Sequence, residues 1–281
     1  MNIKYKKSVL SIILRTLVIV AACITGGTLL YIVGYILING IPHLSPELFS
    51  WEYTSENLSM LPSIINTLII TALSLIIAVP LGIFSAIYLV EYAKRGNKLV
   101  GIIRITAETL SGIPSIVYGL FGMLFFVTAL NMDYSILAGS LTMCIMILPL
   151  IMRTTEEALK SVPDIYREGS FGLGAGRLRT VFRVVLPSAV PGILAGVILS
   201  IGRIVGETAA LIYTAGTFAD IPESIMDSGR TLSVHMYTLS REGLHIDQTY
   251  ATAVVLLIVV ILINSLSALV AKRITKRRGE A

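Results

Sequence analysis

The chain has 281 residues, of which 55% are hydrophobic and 14% charged, with a mean hydropathy of +0.83 and a formal net charge of +5. A water-facing domain carries nearer a quarter charged residues, so this composition excludes an ordinary soluble domain, a disordered chain, a collagen-like repeat and a small disulfide scaffold. What remains is a chain whose main solvent is lipid.

A helix needs about 20 apolar residues to cross the hydrocarbon core. Six stretches meet that length: residues 16–38, 64–90, 109–130, 134–152, 189–215 and 249–271. They predict an all-α polytopic fold, with a tail over 1–15, a six-helix body over 16–271 and a basic tail over 272–281. Only Asn131, Met132 and Asp133 part the third run from the fourth, which predicts a short helical hairpin rather than one overlong helix. Val20-Ala21-Ala22-Cys23 resembles a lipoprotein cleavage box. The apolar run continues past it, however, and Arg15 interrupts the signal core, so an uncleaved first span is expected. Cys23 and Cys144 both lie in apolar runs and are expected as buried thiols, with no metal spacing between them.

The basic residues set the orientation. Nineteen of the 22 fall on one side: the N-terminal tail, the link between runs two and three, residues 153–187, and the C-terminal tail. Arg230 and Arg241 lie on the other side, and Arg203 lies inside the fifth run. Both termini are therefore expected in the cytoplasm, with the net charge read as a topology signal rather than a nucleic-acid patch.

The first outer loop, residues 39–63, carries Trp51 and Tyr53, expected as interfacial anchors. The second outer loop, 216–248, has mixed charge, and its His235 and His245 have no third ligand in reach, so no metal site is expected. The cytoplasmic loop 153–187 is longer than a connector requires. Ser161 as a cap, Pro163 and Asp164 mark a helix start, and glycines 169, 172, 174 and 176 mark a turn. A helix–turn–helix knob for docking is predicted. The glycines complete no phosphate-loop pattern, so any ATPase must be a separate subunit.

Arg203 and Glu207 stand four residues apart in an apolar run, hence on one helical face. Ionisable groups at membrane depth are costly and face a partner or a watery path. A substrate pathway and a self-neutralising structural pair both remain open. Gly202 and Gly206 narrow one stripe for helix packing or for solute approach. Arg153, at the inner end of the fourth run, is either an exit residue or a headgroup anchor. Arg104 and Glu108, also four apart, are expected to pair with each other.

Glu168-Gly169-Ser170, then Gly174, then Val184-Val185-Leu186-Pro187, resembles the EAA signature of permease subunits of bacterial ABC importers. Gly169 and Ser170 replace the two alanines, and Val184 the isoleucine. The segments at 108–122, 148–159 and 202–211, with Arg153-Thr154-Thr155-Glu156-Glu157 and Gly206-Glu207-Thr208-Ala209, resemble the PstA branch of the phosphate permeases. The likeness covers roughly residues 60–270. It implies a MetI-like importer half in a bacterial or archaeal cell membrane, moving inorganic phosphate without catalytic residue, cofactor or metal of its own. The implied partners are a PstC-like permease, a PstB-like ATPase dimer and a PstS-like binding protein. The implied coupling residues are Asp164, Tyr166, Glu168, Gly174, Leu186 and Pro187. Arg203, Glu207 and Arg153 are the expected pathway residues, Arg203 holding phosphate oxygens and Glu207 accepting its proton. Another oxyanion (molybdate or sulfate) and a self-sufficient secondary transporter are the alternatives.

Overall fold

A computed structural model describes residues 9–94 and 96–279. Lys4, Lys6, Lys7 and Arg95 lie outside the described residues, as do the side chains of Lys276, Arg277 and Arg278. The described residues are helical and loop, without a strand. In chain order the helices are α1 (Val9–Gly40), α2 (Leu61–Ile87), α3 (Lys98–Ser111), α4 (Ser115–Gly122), α5 (Ile136–Lys160), α6 (Asp164–Gly172), α7 (Arg177–Thr180), α8 (Leu186–Val205), α9 (Ala209–Ile212), α10 (Leu232–Glu242) and α11 (Ile246–Gly279). Wide π turns extend α2 through Tyr88–Tyr92 and α4 through Met123–Ala129, and join α7 to α8 through Val181–Val185. The last of these stands directly before Pro187, where the missing N–H removes a helical bond, and the wider turn carries the chain past that gap.

Among the described residues, five helices are long and apolar enough to cross a bilayer: Leu10–His43, Leu61–Tyr92, Ile136–Lys160, Arg177–Val205 and Ile246–Arg273. The third expected run behaves differently. It breaks at Gly112-Ile113-Pro114, and the two halves, Lys98–Ser111 and Ser115–Ala129, meet at 103°. Pro114 has no N–H and disfavours helical geometry at Ile113, so the helix stops there. The tight hairpin into α5 forms as expected, with Asn131 and Asp133 at φ of 50° and 49°. The fifth run is also corrected. Its helix begins earlier, at Arg177, ends at Val205, and the chain then turns back through α9.

The centre of the molecule is α5, packed between α2 and α8. Ile70 and Ala78 of α2, Met143, Met146, Ile147 and Ile151 of α5, and Ile204 of α8 form one buried cluster. The contact surfaces use small and hydroxylated residues, as lipid gives no hydrophobic drive between helices. Ser74 donates to the Ser140 carbonyl across the α2–α5 seam at 3.1 Å. Thr67, Thr71, Ser140 and Thr142 return their hydroxyls to carbonyls one turn back. By contrast, α1 presents exposed leucine, isoleucine and valine along most of its length. It is held near its outer end, where Gly40 lies against Tyr250 and Val254 and Tyr35 meets Tyr250 edge-on. Cys144 is buried as expected, but Cys23 is exposed, because that part of α1 has no packed neighbour.

Candidate translocation site and coupling surface

The second half of the broken span meets the short helix that follows α8. A Cβ on Gly119 of α4 would stand 2.8 Å from Ala210 Cα and 3.1 Å from the Ala209 carbonyl, so α4 and α9 touch backbone to backbone. Tyr118 donates from its hydroxyl to the Leu110 carbonyl at 2.7 Å, bridging the break between α3 and α4. Arg203 lies on the last turn of α8 next to this junction, half-buried, near enough to Tyr118 for its charge to be felt there. Its position at a helix C-terminus favours the cation. Among the described residues it carries no hydrogen bond or ion pair.

The shared helical face expected for Arg203 and Glu207 is not kept, and the structural pair, one of the two open readings, does not form. The helix ends at Gly206, so Glu207 leaves the α8 surface. Its Oε1 instead accepts the Ala210 N–H at 3.1 Å, and its backbone carbonyl accepts the Ser233 hydroxyl at 2.6 Å. Glu207 thus stitches α9 to the start of α10, and Arg203 is left free. Gly202 faces Asn264 of α11 at ordinary contact distance, 3.8 Å, whereas Gly206 closes the helix and narrows no packing stripe. Asn264 Oδ1 is buried without a hydrogen-bond partner. This polar group in the sixth span was not singled out from sequence, although asparagine within an apolar run was the available signal.

Arg153 is tied down rather than open. Its Nε donates to Glu157 at 3.2 Å and Glu108 lies 4.0 Å away. Arg104 turns to Glu156 at 2.6 Å, and so does Lys160, also at 2.6 Å. The expected Arg104–Glu108 pair is therefore replaced by contacts between α3 and α5, since the Arg104 side of α3 packs on α5. Glu156, buried at 6% exposure, is the acid that sequence reasoning passed over. These six charges surround a cleft of about 180 Å³ and balance one another.

The long loop after α5 folds as a helix, a turn and a second helix: α6, then Gly174 at φ +81°, then α7. Pro163 rather than Ser161 occupies the cap of α6; Ser161 ends α5 and donates to the Ala158 carbonyl. Asp164 occupies the first turn of α6, beside the positive end of the helix dipole. It accepts from Arg167 at 3.2 Å. Arg167 also reaches Glu91 at 2.7 Å, the Val162 carbonyl at 2.7 Å and the Leu159 carbonyl at 2.9 Å. One guanidinium therefore locks α6 to the end of α2 and to the last carbonyls of α5. Ser170 and Thr180 share a hydrogen bond of 2.8 Å, closing the knob on itself. Tyr166, Glu168 and Gly174 are exposed on its outer side with Ile165 and Leu173, while Leu186 and Pro187 are half-buried at the start of α8.

At the opposite side the two outer loops are joined. Arg230, 4% exposed, stacks 4.4 Å from the centre of the Tyr53 ring, and Tyr53 meets His235 edge-on at 6.2 Å. Tyr53 is thus a packing partner rather than the expected headgroup anchor; Trp51 is the exposed member of the pair. Burial first, and the Arg230 charge second, push the His235 imidazole down to about 3. Among the described residues no group of His, Cys, Asp and Glu is placed to hold a metal.

Comparison with known proteins adds to this geometry. The chain is 35% identical over 238 residues to a probable ABC transporter permease protein, YqgI of Bacillus subtilis, covering 79% of this chain and 81% of that one. It is 35% identical to the phosphate transport system permease protein PstA 1 of Mycobacterium tuberculosis, over 76% of this chain and 70% of that one. Against PstA of Pasteurella multocida identity is 38%, over 66% and 67%. Among solved structures, a bacterial alginate ABC transporter in complex with its pentasaccharide-bound periplasmic protein superposes with a TM-score of 0.66, at 16% identity over 95% of this chain and 98% of that one. A chain of the MetNI methionine ABC transporter does so at 0.60, with 20% identity over 76% and 93%. These two share the fold of most of the chain. A family model also matches residues 78–279, taking in α6 and α7, and the chain accordingly belongs to the family of binding-protein-dependent transport system inner membrane components.

Proposed function

We propose that this chain is the PstA-type permease subunit of an ATP-driven importer of inorganic phosphate. The observation that carries the substrate is the run of PstA relatives at 35–38% identity over most of the chain. The chemistry agrees: near neutral pH phosphate is an anion, and a lipid-embedded route needs compensating positive charge. Arg203 supplies it, its donors uncommitted among the described residues and matched to two phosphate oxygens. Glu207 keeps one carboxylate oxygen for the proton that phosphate carries and sulfate lacks. Arg153 serves, in this reading, as a cytoplasmic-side residue released from Glu157 only when the site opens.

A separate ATPase dimer seats on α6, through Tyr166, Glu168 and the exposed apolar residues around them, with Asp164 and Gly174 fixing the start and end of the knob. Leu186 and Pro187 pass its movement to α8, which ends at Arg203. A second, homologous permease completes the pathway, and an extracytoplasmic binding protein delivers phosphate at the joined outer loops. Both termini are cytoplasmic in this arrangement.

Radiolabelled phosphate uptake in a strain that depends on this subunit tests the substrate. Excess unlabelled phosphate is expected to abolish the signal, and equal excesses of sulfate or molybdate to leave it nearly unchanged. Competition by either of those anions equal to that of phosphate would assign the other oxyanion instead.

A further inference from the structure

A cavity of about 960 Å³ lies on the proposed cytoplasmic side and is strongly basic. It opens between the end of α2, the turn through Gly96, the N-terminus of α3 and the root of α6. Six cations line it against two carboxylates, Glu91 and Asp164. Four of the six are engaged. Arg167 holds both carboxylates, Arg104 and Lys160 share Glu156, and Arg177 lies 5.7 Å over the Tyr92 ring. Lys94 and Lys98 carry no hydrogen bond or ion pair through their ammonium groups among the described residues, and both are exposed at the mouth.

The surface beside that mouth is apolar. Leu99, Ile102 and Ile103 share one face of α3 by their spacing and are 66%, 59% and 42% exposed, while Val100 packs inward. Because α3 meets the following span at 103°, a span that crosses the bilayer leaves α3 running near the membrane plane. Its apolar face then enters the acyl chains while Lys94 and Lys98 stand at headgroup level. A free phosphate ion would use the charge but not the greasy face; a phospholipid uses both.

We infer that this cavity is a binding site for an anionic phospholipid of the inner leaflet, its phosphate held by Lys94 and Lys98 and its acyl chains lying along α3. The inference rests on the proposed orientation but not on phosphate as substrate.

The full chain in nanodiscs of phosphatidylglycerol or of phosphatidylcholine with the same acyl chains, examined by native mass spectrometry, tests it. Phosphatidylglycerol is expected to stay bound and phosphatidylcholine to be lost. The double variant K94Q/K98Q is expected to hold phosphatidylglycerol about thirtyfold less well, and K94R/K98R to restore it. Equal retention of the two lipids, or unchanged retention in K94Q/K98Q, would overturn the site. Displacement of the lipid by millimolar inorganic phosphate would overturn the lipid assignment in favour of a free-anion site. Orientation is read separately: K98C in a cysteine-free background, labelled from outside by an impermeant maleimide, would contradict the sidedness, whatever the lipid result.

Discussion

At the residue scale, the features that matter are side chains whose partners differ from those their sequence spacing suggests. Arg203 and Glu207 have the spacing of a helical pair, but Gly206 ends the helix between them, and a local stop of this kind overrides i,i+4 geometry. His235 gave no signal beyond its residue type; its meaning comes from Arg230 and Tyr53, one brought from nearby and the other from the first loop. Its pKa near 3, below the unfolded value of about 6.5, means that the folded chain resists protonation. The stabilisation is complete above pH 6.5 and drains away as pH falls from there toward 3, at up to about 1.4 kcal/mol per pH unit. Thermal unfolding of the purified chain should show a midpoint that drops between pH 7 and pH 5, with a shallower drop in His235→Gln. Equal pH dependence in the two would remove His235 as its source. Gly169 stands in α6 with no atom within 4 Å of a built Cβ. Gly169→Ala should therefore stabilise the knob by up to about 1 kcal/mol, read as slower amide exchange over residues 164–172.

At the scale of elements, the apolar runs made most of the spans legible. The hairpin at Asn131–Asp133 and the helix–turn–helix after Pro163 were legible for the same reason: both are written in local residues. Two things were not. A 20-residue apolar run looks the same whether it crosses once or breaks and returns, so the folds at Gly112–Pro114 and Gly206 disappear into hydropathy. Ion partners from other helices were hidden as well, as Arg104 with Glu156 and Arg167 with Glu91 show. The contact of α4 with α9 makes Gly119 critical, because the atoms it meets are backbone atoms that cannot rotate away. Gly119→Val should cost about 1–3 kcal/mol by overpacking, visible as a lowered unfolding midpoint. Arg167→Ala leaves Glu91 buried without its counter-charge, with side chains 15% and 9% exposed in the native pair. A loss of about 3 kcal/mol is expected, with Arg167→Lys falling between it and the wild type.

At the scale of the whole molecule, a central α5 and one broken span give a body in which the α6–α7 knob and Arg203 sit at opposite ends of one continuous helical stretch, Arg177–Val205. A push on α6 and α7 therefore has a rigid route to Arg203, which is what an importer driven by a separate ATPase requires. The family assignment fits a permease body of this kind, and the proposed function puts its chemical centre at Arg203. The most direct test is phosphate uptake by the assembled transporter carrying Arg203→Ala, with assembly verified by co-purification of the partner subunits. Uptake is expected to fall at least about thirtyfold while the complex still assembles. Full uptake by that variant would contradict the placement of substrate at Arg203.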